Sequence, residues 1–239
     1  MNKQEIKTFS AHLQTLNFET RLHEVVQKFG TQIAFSTSLG KEDQVLSHVI
    51  FSAKLPIRVF TLDTGRLFEE TQSLLAITRE RYAAIIETYT PDTEALQTFL
   101  TSMGPRSFYT SVEKRLECCR IRKVEPLQRA LRGATVWLTG LRSEQSVNRS
   151  QLEMAEWNEE HQLVKINPLL DWTETQLDEY IDFHNVPVNR LHKQGFASIG
   201  CAPCTRPVAS GEDPRSGRWW WENPNKKECG LHLHRKETA

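Results

Sequence analysis

Short apolar runs alternate with stretches of helical hydrophobic spacing along most of this chain. Leu22, Val25 and Phe29 recur at intervals of three or four, which predicts a helix over Phe18–Phe29 that ends at Gly30. Five apolar runs are instead predicted to be strands: Gln32–Ser36, Ile57–Leu62, Ala84–Tyr89, Thr135–Gly140 and Leu163–Ile166. Strands separated by helices predict an α/β fold, in which a mainly parallel sheet is flanked by helices.

Polar residues mark where other helices begin and end. Thr110–Glu113 has the pattern of a capping box, which predicts the start of a helix that carries Cys118–Cys119. Pro126 has no backbone N–H, so we expect this helix to break near Val124, within two turns of the cysteines. A second capping pattern, Thr173–Gln176, predicts a helix later in the chain.

Two polar loops directly follow predicted strands, at Ser36–Asp43 and at Leu62–Leu67. In open parallel sheets, ligands bind at the carboxyl ends of the strands, and a helix N-terminus there favours phosphate. The loops therefore predict a nucleotide-binding edge. The first loop lacks the Walker A pattern, and a tight turn without a ligand is the alternative for it.

The composition narrows the class of protein. The chain has 239 residues, of which 38% are hydrophobic and 25% charged, as in ordinary globular proteins. Its 30 Lys and Arg residues balance 30 Asp and Glu residues, so no global field favours nucleic acid or a membrane. No run of 18 apolar residues and no leader pattern is present, so we expect a cytoplasmic protein. Residues 1–239 are predicted to form a single domain, with an irregular, mobile arm over about 206–239.

Four of the five cysteines fall in two tight pairs, Cys118–Cys119 and Cys201–Cys204. Four thiolates suit a tetrahedral Zn²⁺ ion or a [4Fe–4S] cluster. Neighbours on a helix point about 100° apart, so both members of the first pair reach a wide cluster more easily than one ion. This favours iron–sulfur over zinc; core thiols, a disulfide and a zinc knuckle are the alternatives.

The remaining candidate chemistry involves one cysteine and several arginines. Cys229 is the fifth cysteine, outside both pairs, and it lies in a polar tail. A reactive thiol and an incidental surface thiol are both consistent with this position. Arg142 and Arg149 flank a small polar stretch, which suits an anion. Arg115 and Arg120 are predicted to lie on a solvated helix face.

Over roughly residues 35–234, these motifs resemble the assimilatory adenylyl-sulfate reductase family. The resemblance rests on the two cysteine pairs in this order, the segment Leu62–Leu67, Cys119-x-x-x-Lys123, Arg142 with Arg149, Arg215-x-x-Arg218 and Glu228-Cys-Gly-Leu-His232. It implies a PP-loop-type, adenine-nucleotide-hydrolase-like fold with one [4Fe–4S] cluster per chain. It also implies that adenosine 5′-phosphosulfate and reduced thioredoxin, or a glutaredoxin-like reductant, give sulfite, AMP and the oxidised reductant.

The resemblance also implies the roles of individual residues. Cys118, Cys119, Cys201 and Cys204 would hold the cluster, and Cys229 would attack sulfur and form an S-sulfocysteine intermediate. The implied substrate-binding residues are Ser36, Ser38, Gly40, Glu42, Asp43, Leu62, Asp63, Thr64, Gly65, Arg66, Lys123, Arg142, Arg149, Arg215, Arg218 and His232. No nucleic acid or membrane partner is implied, and a homo-oligomer stays open.

Three other functions compete with this one. A 3′-phosphoadenylyl-sulfate reductase, or an enzyme of dual specificity, would share the fold and Cys229. An ATP-dependent PP-loop iron–sulfur tRNA thiolase is more distant, and a zinc-binding module without activity is a third alternative. The segment Ser38–Asp43 departs from the Ser-Gly-Gly-x-Asp-Ser of ATP-cleaving relatives, because it has a leucine and an added acidic residue. Both changes suit a substrate with a single phosphate.

Overall fold

The computed structural model describes residues 1–145, 149–209 and 211–222, which contain eight α-helices and six β-strands. The helices are α1 (Lys3–Gln14), α2 (Phe18–Phe29), α3 (Lys41–Ser52), α4 (Glu69–Tyr82), α5 (Thr93–Met103), α6 (Val112–Cys119), α7 (Glu125–Ala130) and α8 (Glu174–His184). The strands are β1 (Ile33–Thr37), β2 (Arg58–Leu62), β3 (Glu87–Tyr89), β4 (Val136–Leu138), β5 (Ala155–Asn158) and β6 (Leu163–Ile166). None of the described helices combines the length and the apolar character that crossing a membrane requires.

The six strands form one sheet in the order β3-β2-β1-β4-β6-β5. β1 pairs in parallel with β2 and β4, and β4 pairs in parallel with β6, whereas β5 is antiparallel to β6. Phe35 of β1 stands opposite Val59 on one side and Leu138 on the other. Because side chains alternate along a strand, these residues share one face of the sheet and belong to the main hydrophobic core. The predicted α/β fold with a mainly parallel sheet is therefore confirmed.

The chain forms two compact units. The first comprises residues 1–61, 69–87 and 131–193, and the second comprises residues 62–68, 88–130 and the chain from 194 onward. The first unit contains most of the sheet and its core. The second contains α5, α6, α7 and a smaller core around Phe99, Phe108 and Ile121. The single domain over residues 1–239 stays a prediction.

Two local predictions agree with the structure in detail. α2 spans Phe18–Phe29, and Gly30 follows it with φ of 62°, a backbone conformation that glycine adopts without strain. At the start of α8, Thr173 accepts a hydrogen bond from the backbone N–H of Gln176, whose side chain accepts one from the N–H of Thr173. Both signals are local, because a cap or a helical repeat acts within one or two turns.

Other local predictions were wrong. α6 is capped by Ser111, whose hydroxyl accepts from the N–H of Lys114, because the Thr110 hydroxyl instead donates back to the carbonyl of Ser107. The third strand begins at Glu87 rather than Ala84, because the N–H of Ala84 closes the turn after α4 on the carbonyl of Arg79. The sequence analysis also missed α1 and the antiparallel strand β5, which lacks a run of apolar residues.

The two arginines assigned to a solvated helix face have different environments. Arg120 is exposed, as expected, and pairs with Glu117 one turn earlier. Arg115 is buried, with 1% of its side chain exposed, and forms an ion pair with Glu222, of which 4% is exposed. The prediction of a solvated side chain was therefore wrong for Arg115. Its ion-pair partner lies more than 100 residues away in sequence, so the helix sequence alone could not reveal it.

Candidate functional site

Two distant cysteine pairs line a single small cavity in the second unit. Cys118 and Cys119 are the last two residues of α6, whereas Cys201 directly precedes a short 3₁₀ turn, Ala202–Cys204, which ends at Cys204. Cys118, Cys119 and Cys201 are buried, and all four thiols are free of disulfide bonds. The structure thus brings together the four residues that the sequence analysis assigned to a metal centre.

The helix distortion expected beside the vicinal cysteines takes the form of a π-helical segment. It spans Arg120–Val124, directly after Cys119, and the N–H of Glu125 donates to the carbonyl of Arg120 five residues earlier. The helical path then continues into α7, with Pro126 in its first turn. The predicted helix break near Val124 was therefore wrong, because the helix continues through a wider π-helical segment. Such π-bulges are frequent at functional sites.

The second pair has an uneven electrostatic environment. Burial alone would raise the pKa of Cys201, but the nearby Lys123 ammonium, the Thr64 hydroxyl and the Arg218 guanidinium together lower it. Thr64 Oγ1 lies 3.3 Å from Cys201 Sγ. Burial and the negative charge of Cys201 raise the pKa of Cys204 to about 12, against the lowering effect of Lys123 and Arg218. The protein thus stabilises one thiolate of this pair through cations and a hydroxyl.

Positive charge surrounds the cysteines. Five basic residues line the same cavity: Arg66, Arg115, Arg122, Lys123 and Arg218. Arg122 donates to the carbonyl of Thr64 at 2.5 Å, and the Arg218 guanidinium stacks 4.6 Å from the centre of the Trp219 ring. Because thiolates are anionic, cations that line the same cavity lower the free energy of a thiolate-bound group. Of the predicted substrate-binding residues, Arg66, Lys123 and Arg218 therefore line the same cavity as the cysteines.

The loop at Leu62–Leu67 is tied to the second cysteine pair. Asp63 accepts a hydrogen bond from the N–H of Gly65, which has φ of 66°, and this closes a tight turn. The N–H of Ala202, between the cysteines of the pair, donates to the carbonyl of Arg66 at 2.8 Å. The predicted nucleotide loop and the predicted metal-binding segment thus hold each other in place.

The loop at Ser36–Asp43 belongs to the first unit and is closed by its own side chains. The Asp43 carboxylate accepts hydrogen bonds from both the backbone N–H and the hydroxyl of Ser38, each at 2.6 Å. The indole N–H of Trp137 donates to the hydroxyl of Ser36 at 2.7 Å. Burial raises the pKa of Asp43 to about 6, with lowering contributions from Ser38 and from the charge of Arg149.

Arg142 follows β4 and is buried among carboxylates. Its Nε donates to Glu42 at 2.9 Å, Nη1 lies 3.5 Å from Glu144, and Nη2 contacts Glu174. Arg149 donates to the side chain of Gln145. The anion-binding role assigned to both arginines stays a prediction, and the contacts of Arg142 are to protein acceptors within the first unit. Arg215 closes a local turn by donating its N–H to Asp213. Cys229 and His232 lie outside the described residues.

The donor set fits a thiolate-bound cluster. Within residues 1–145, 149–209 and 211–222, no three His, Cys, Asp or Glu side chains stand close enough to share one metal ion. One tetrahedral ion with bonds of about 2.3 Å needs sulfurs only about 3.8 Å apart. In a four-iron cluster each thiolate binds a different iron, so its sulfurs stand farther apart. The four free cysteines around this cation-lined cavity are the donors that a thiolate-bound group needs, and the cluster itself stays a prediction.

Sequence reasoning missed two residues of the first unit. Trp137 holds Ser36, and Gly140 lies against Asp43 so closely that a Cβ atom there would be 2.2 Å from Asp43 Oδ1. Trp137 is part of an apolar strand and therefore looked like a core residue. Gly140 ends the predicted fourth strand, and a glycine at the end of a strand was the only available signal.

Comparison with known proteins gives consistent relatives. A family model described as the phosphoadenosine phosphosulfate reductase domain matches residues 32–207. A protein of Allochromatium vinosum named adenosine 5′-phosphosulfate reductase is 54% identical over 207 residues, covering 87% of this chain and 80% of its own. One from Agrobacterium fabrum with the same name is 46% identical over 226 residues, covering 95% and 86% of the two chains.

Solved structures share the fold. A crystal structure of phosphoadenylyl-sulfate reductase from Candida auris has a TM-score of 0.75 and 27% identity, covering 87% of this chain and 98% of its own. The FMN adenylyltransferase of Candida glabrata, in complex with FAD and inorganic pyrophosphate, has a TM-score of 0.55 at 18% identity, covering 93% and 78%. The second similarity concerns the fold alone.

Proposed function

The chain belongs to the phosphoadenosine phosphosulfate reductase domain family, and from this premise we propose that it reduces adenosine 5′-phosphosulfate to sulfite and AMP. The observation that carries the proposal is the meeting of four cysteines and five cations around one cavity. The names of relatives at 46% and 54% identity support the choice of substrate. Such a reaction serves sulfate assimilation in the cytoplasm.

The proposed reaction has two displacement steps. The Cys229 thiolate attacks the sulfur of the sulfonyl group, the bond from that sulfur to the phosphate oxygen breaks, and AMP leaves with the electron pair. A thiolate of reduced thioredoxin, or of a glutaredoxin-like protein, then attacks Cys229 Sγ and expels sulfite. The second thiol of the reductant closes its disulfide and restores the Cys229 thiol. Two electrons thus pass from the dithiol to the sulfur of the substrate.

The residues of the second unit have separable tasks in this scheme. Cys118, Cys119, Cys201 and Cys204 would hold a [4Fe–4S] cluster, which when bound would tie the two cysteine segments together. Lys123 and Arg218 would offset the negative charge of the phosphosulfate as charge moves onto the leaving phosphate. Arg66 would add positive charge at the same cavity. The hydrogen bond from the N–H of Ala202 to the Arg66 carbonyl would hold its loop beside the second cysteine pair.

A second candidate is reduction of the 3′-phosphorylated substrate. The structure from Candida auris supports it, since that phosphoadenylyl-sulfate reductase has the same fold at 27% identity. Sulfite release from both adenylyl sulfates, measured on anaerobically purified protein with reduced thioredoxin, separates the two candidates. We expect faster release from the 5′-phosphosulfate, and equal or reversed catalytic efficiencies would assign the enzyme to the second candidate.

The role of Cys229 has its own experiment with a matched control. Cys229→Ser should keep its iron and its nucleotide binding but lose sulfite production, because a hydroxyl is a far poorer nucleophile than a thiolate. Cys204→Ser, the same change at a proposed cluster ligand, should lose iron. Wild type given substrate without thioredoxin should gain the mass of one SO₃ group on the Cys229 peptide. Added mass on another residue would refute this mechanism.

A further inference from the structure

The order of the strands reverses between β1 and β4. From β1 the chain continues to β2 and then β3 on one side, and it later places β4 and β6 on the other side of β1. In open α/β sheets, ligands bind beyond the carboxyl ends of the strands at such a switch point. Ser36 is the last residue but one of β1, and its side chain is partly exposed. The topology therefore places Ser36 beside the nucleotide crevice.

A side-chain hydrogen bond joins β1 and β4 at this switch point. Ala34 stands opposite Trp137, and Ser36, two residues later, lies on the same face of the sheet. The indole N–H of Trp137 donates to the Ser36 hydroxyl oxygen at 2.7 Å. An indole only donates, so this bond uses a lone pair of the oxygen and leaves the hydroxyl hydrogen for another acceptor. Ser36 can thus offer a donor at the carboxyl edge of the sheet.

The ring of Trp137 is fixed by contacts with the antiparallel pair β5–β6. Lys165 Nζ lies 5.7 Å from the centre of the indole and is itself bonded to Glu156 at 3.1 Å. The His161 ring meets the indole edge-on, with 5.5 Å between the ring centres. Trp137 is 1% exposed, so it is closed off from a ligand in the crevice. Its effect on a ligand must therefore pass through Ser36, the kind of support that holds a binding group in place beforehand.

We infer that Trp137 is a positioning residue for the nucleotide: its indole N–H holds Ser36 so that the serine hydroxyl donates to an acceptor atom of the bound adenylyl group. The inference rests on the proposed function, which supplies the nucleotide. A hydroxyl that accepts a hydrogen bond is polarised and becomes a stronger donor, so the indole also strengthens the bond that Ser36 makes. Loss of the indole N–H should weaken nucleotide binding only while the Ser36 hydroxyl is present.

The test is calorimetric titration of AMP, the proposed product, into the full-length, iron-containing protein. Trp137→Phe keeps an aromatic ring but removes the N–H, and it should weaken AMP binding about fivefold, the effect of one hydrogen bond. Ser36→Ala should weaken binding by at least the same factor. The double variant should bind no more weakly than Ser36→Ala, because the two residues act through one interaction.

Trp157→Phe is the matched control. Trp157 lies on the edge strand β5, and its indole N–H also donates to a side chain, that of Glu159 at 3.0 Å. This variant should bind AMP as wild type does. Unchanged affinity in Trp137→Phe would overturn the inference. An equal further loss when Trp137→Phe is added to Ser36→Ala would also overturn it, because the tryptophan would then act through packing alone.

A measurement on wild type covers the case in which Trp137→Phe does not fold. The indole N–H resonance of Trp137 should shift when AMP is added, whereas that of Trp157 should stay unchanged. AMP binding without a shift at Trp137 would contradict the inference. Sulfite release from adenosine 5′-phosphosulfate is recorded on the same preparation. Its absence would reject the proposed function, whereas normal release without coupling between Trp137 and Ser36 would reject only the positioning role.

Discussion

The ion pair between Arg115 and Glu222 gives a quantitative prediction about stability. Arg115 Nε and Nη2 each donate to a Glu222 carboxylate oxygen at 2.9 Å, with 1% and 4% of the two side chains exposed. Glu222→Gln leaves a buried guanidinium without its counter-charge. Loss of one partner from a buried pair costs about 3–5 kcal/mol, and we expect about 3 because glutamine keeps one acceptor oxygen.

The same helix provides the matched control. Arg120 and Glu117 form a pair of similar geometry at 2.7 Å, but 57% and 35% of the two side chains are exposed. Glu117→Gln should therefore cost at most about 0.5 kcal/mol. With a urea m-value of about 3 kcal/mol/M, the unfolding midpoint should fall by about 1 M for Glu222→Gln and by less than about 0.2 M for Glu117→Gln.

The assay is urea unfolding followed by tryptophan fluorescence, on preparations of equal iron content. Trp219 is fully buried, and its ring lies 4.7 Å from the Arg115 guanidinium, so it reports on this region. A double variant, Arg115→Met with Glu222→Met, should recover part of the lost stability, because neither charge of the pair is then buried without the other. The recovery should be incomplete, because Arg115 also interacts with Cys119. Equal midpoints for the two single variants, or a double variant less stable than Glu222→Gln, would refute the reasoning.

Two further predictions concern Asp43 and the cysteines. The pKa of Asp43 is raised from 3.8 to about 6, so the folded state binds more protons than the unfolded state between these values. The difference in unfolding free energy between wild type and Asp43→Asn should therefore favour wild type most below about pH 4, and this advantage should fall by about 3 kcal/mol as the pH rises through 6. Urea unfolding at several pH values measures this difference. A difference that does not change with pH would contradict the raised pKa. Anaerobic wild type should contain roughly four irons per chain by metal analysis, and Cys118→Ser or Cys201→Ser should lose them. Stoichiometric zinc without iron in wild type would contradict the proposed cluster.

The sequence by itself determined the features that depend on near neighbours. The helical repeat over Phe18–Phe29 and the capping pattern at Thr173–Gln176 act within a few residues, and both occur in the structure as expected. The apolar runs predicted most of the strands, and their alternation with helices predicted the parallel sheet. The two cysteine pairs were also readable, because a tight pair of scarce residues stands out without knowledge of the fold.

The tertiary structure alone decided which polar groups are buried and what they contact. Nothing in the sequence around Arg115 separates it from Arg120, yet one meets Glu222 in the interior and the other meets solvent. Asp43 was assigned to substrate binding with its whole loop, and only the three-dimensional contacts show its carboxylate bonded to Ser38 and packed against Gly140. Secondary structure follows from local repeats, whereas the environment of a charge depends on segments far apart in sequence, which only the folded chain brings together.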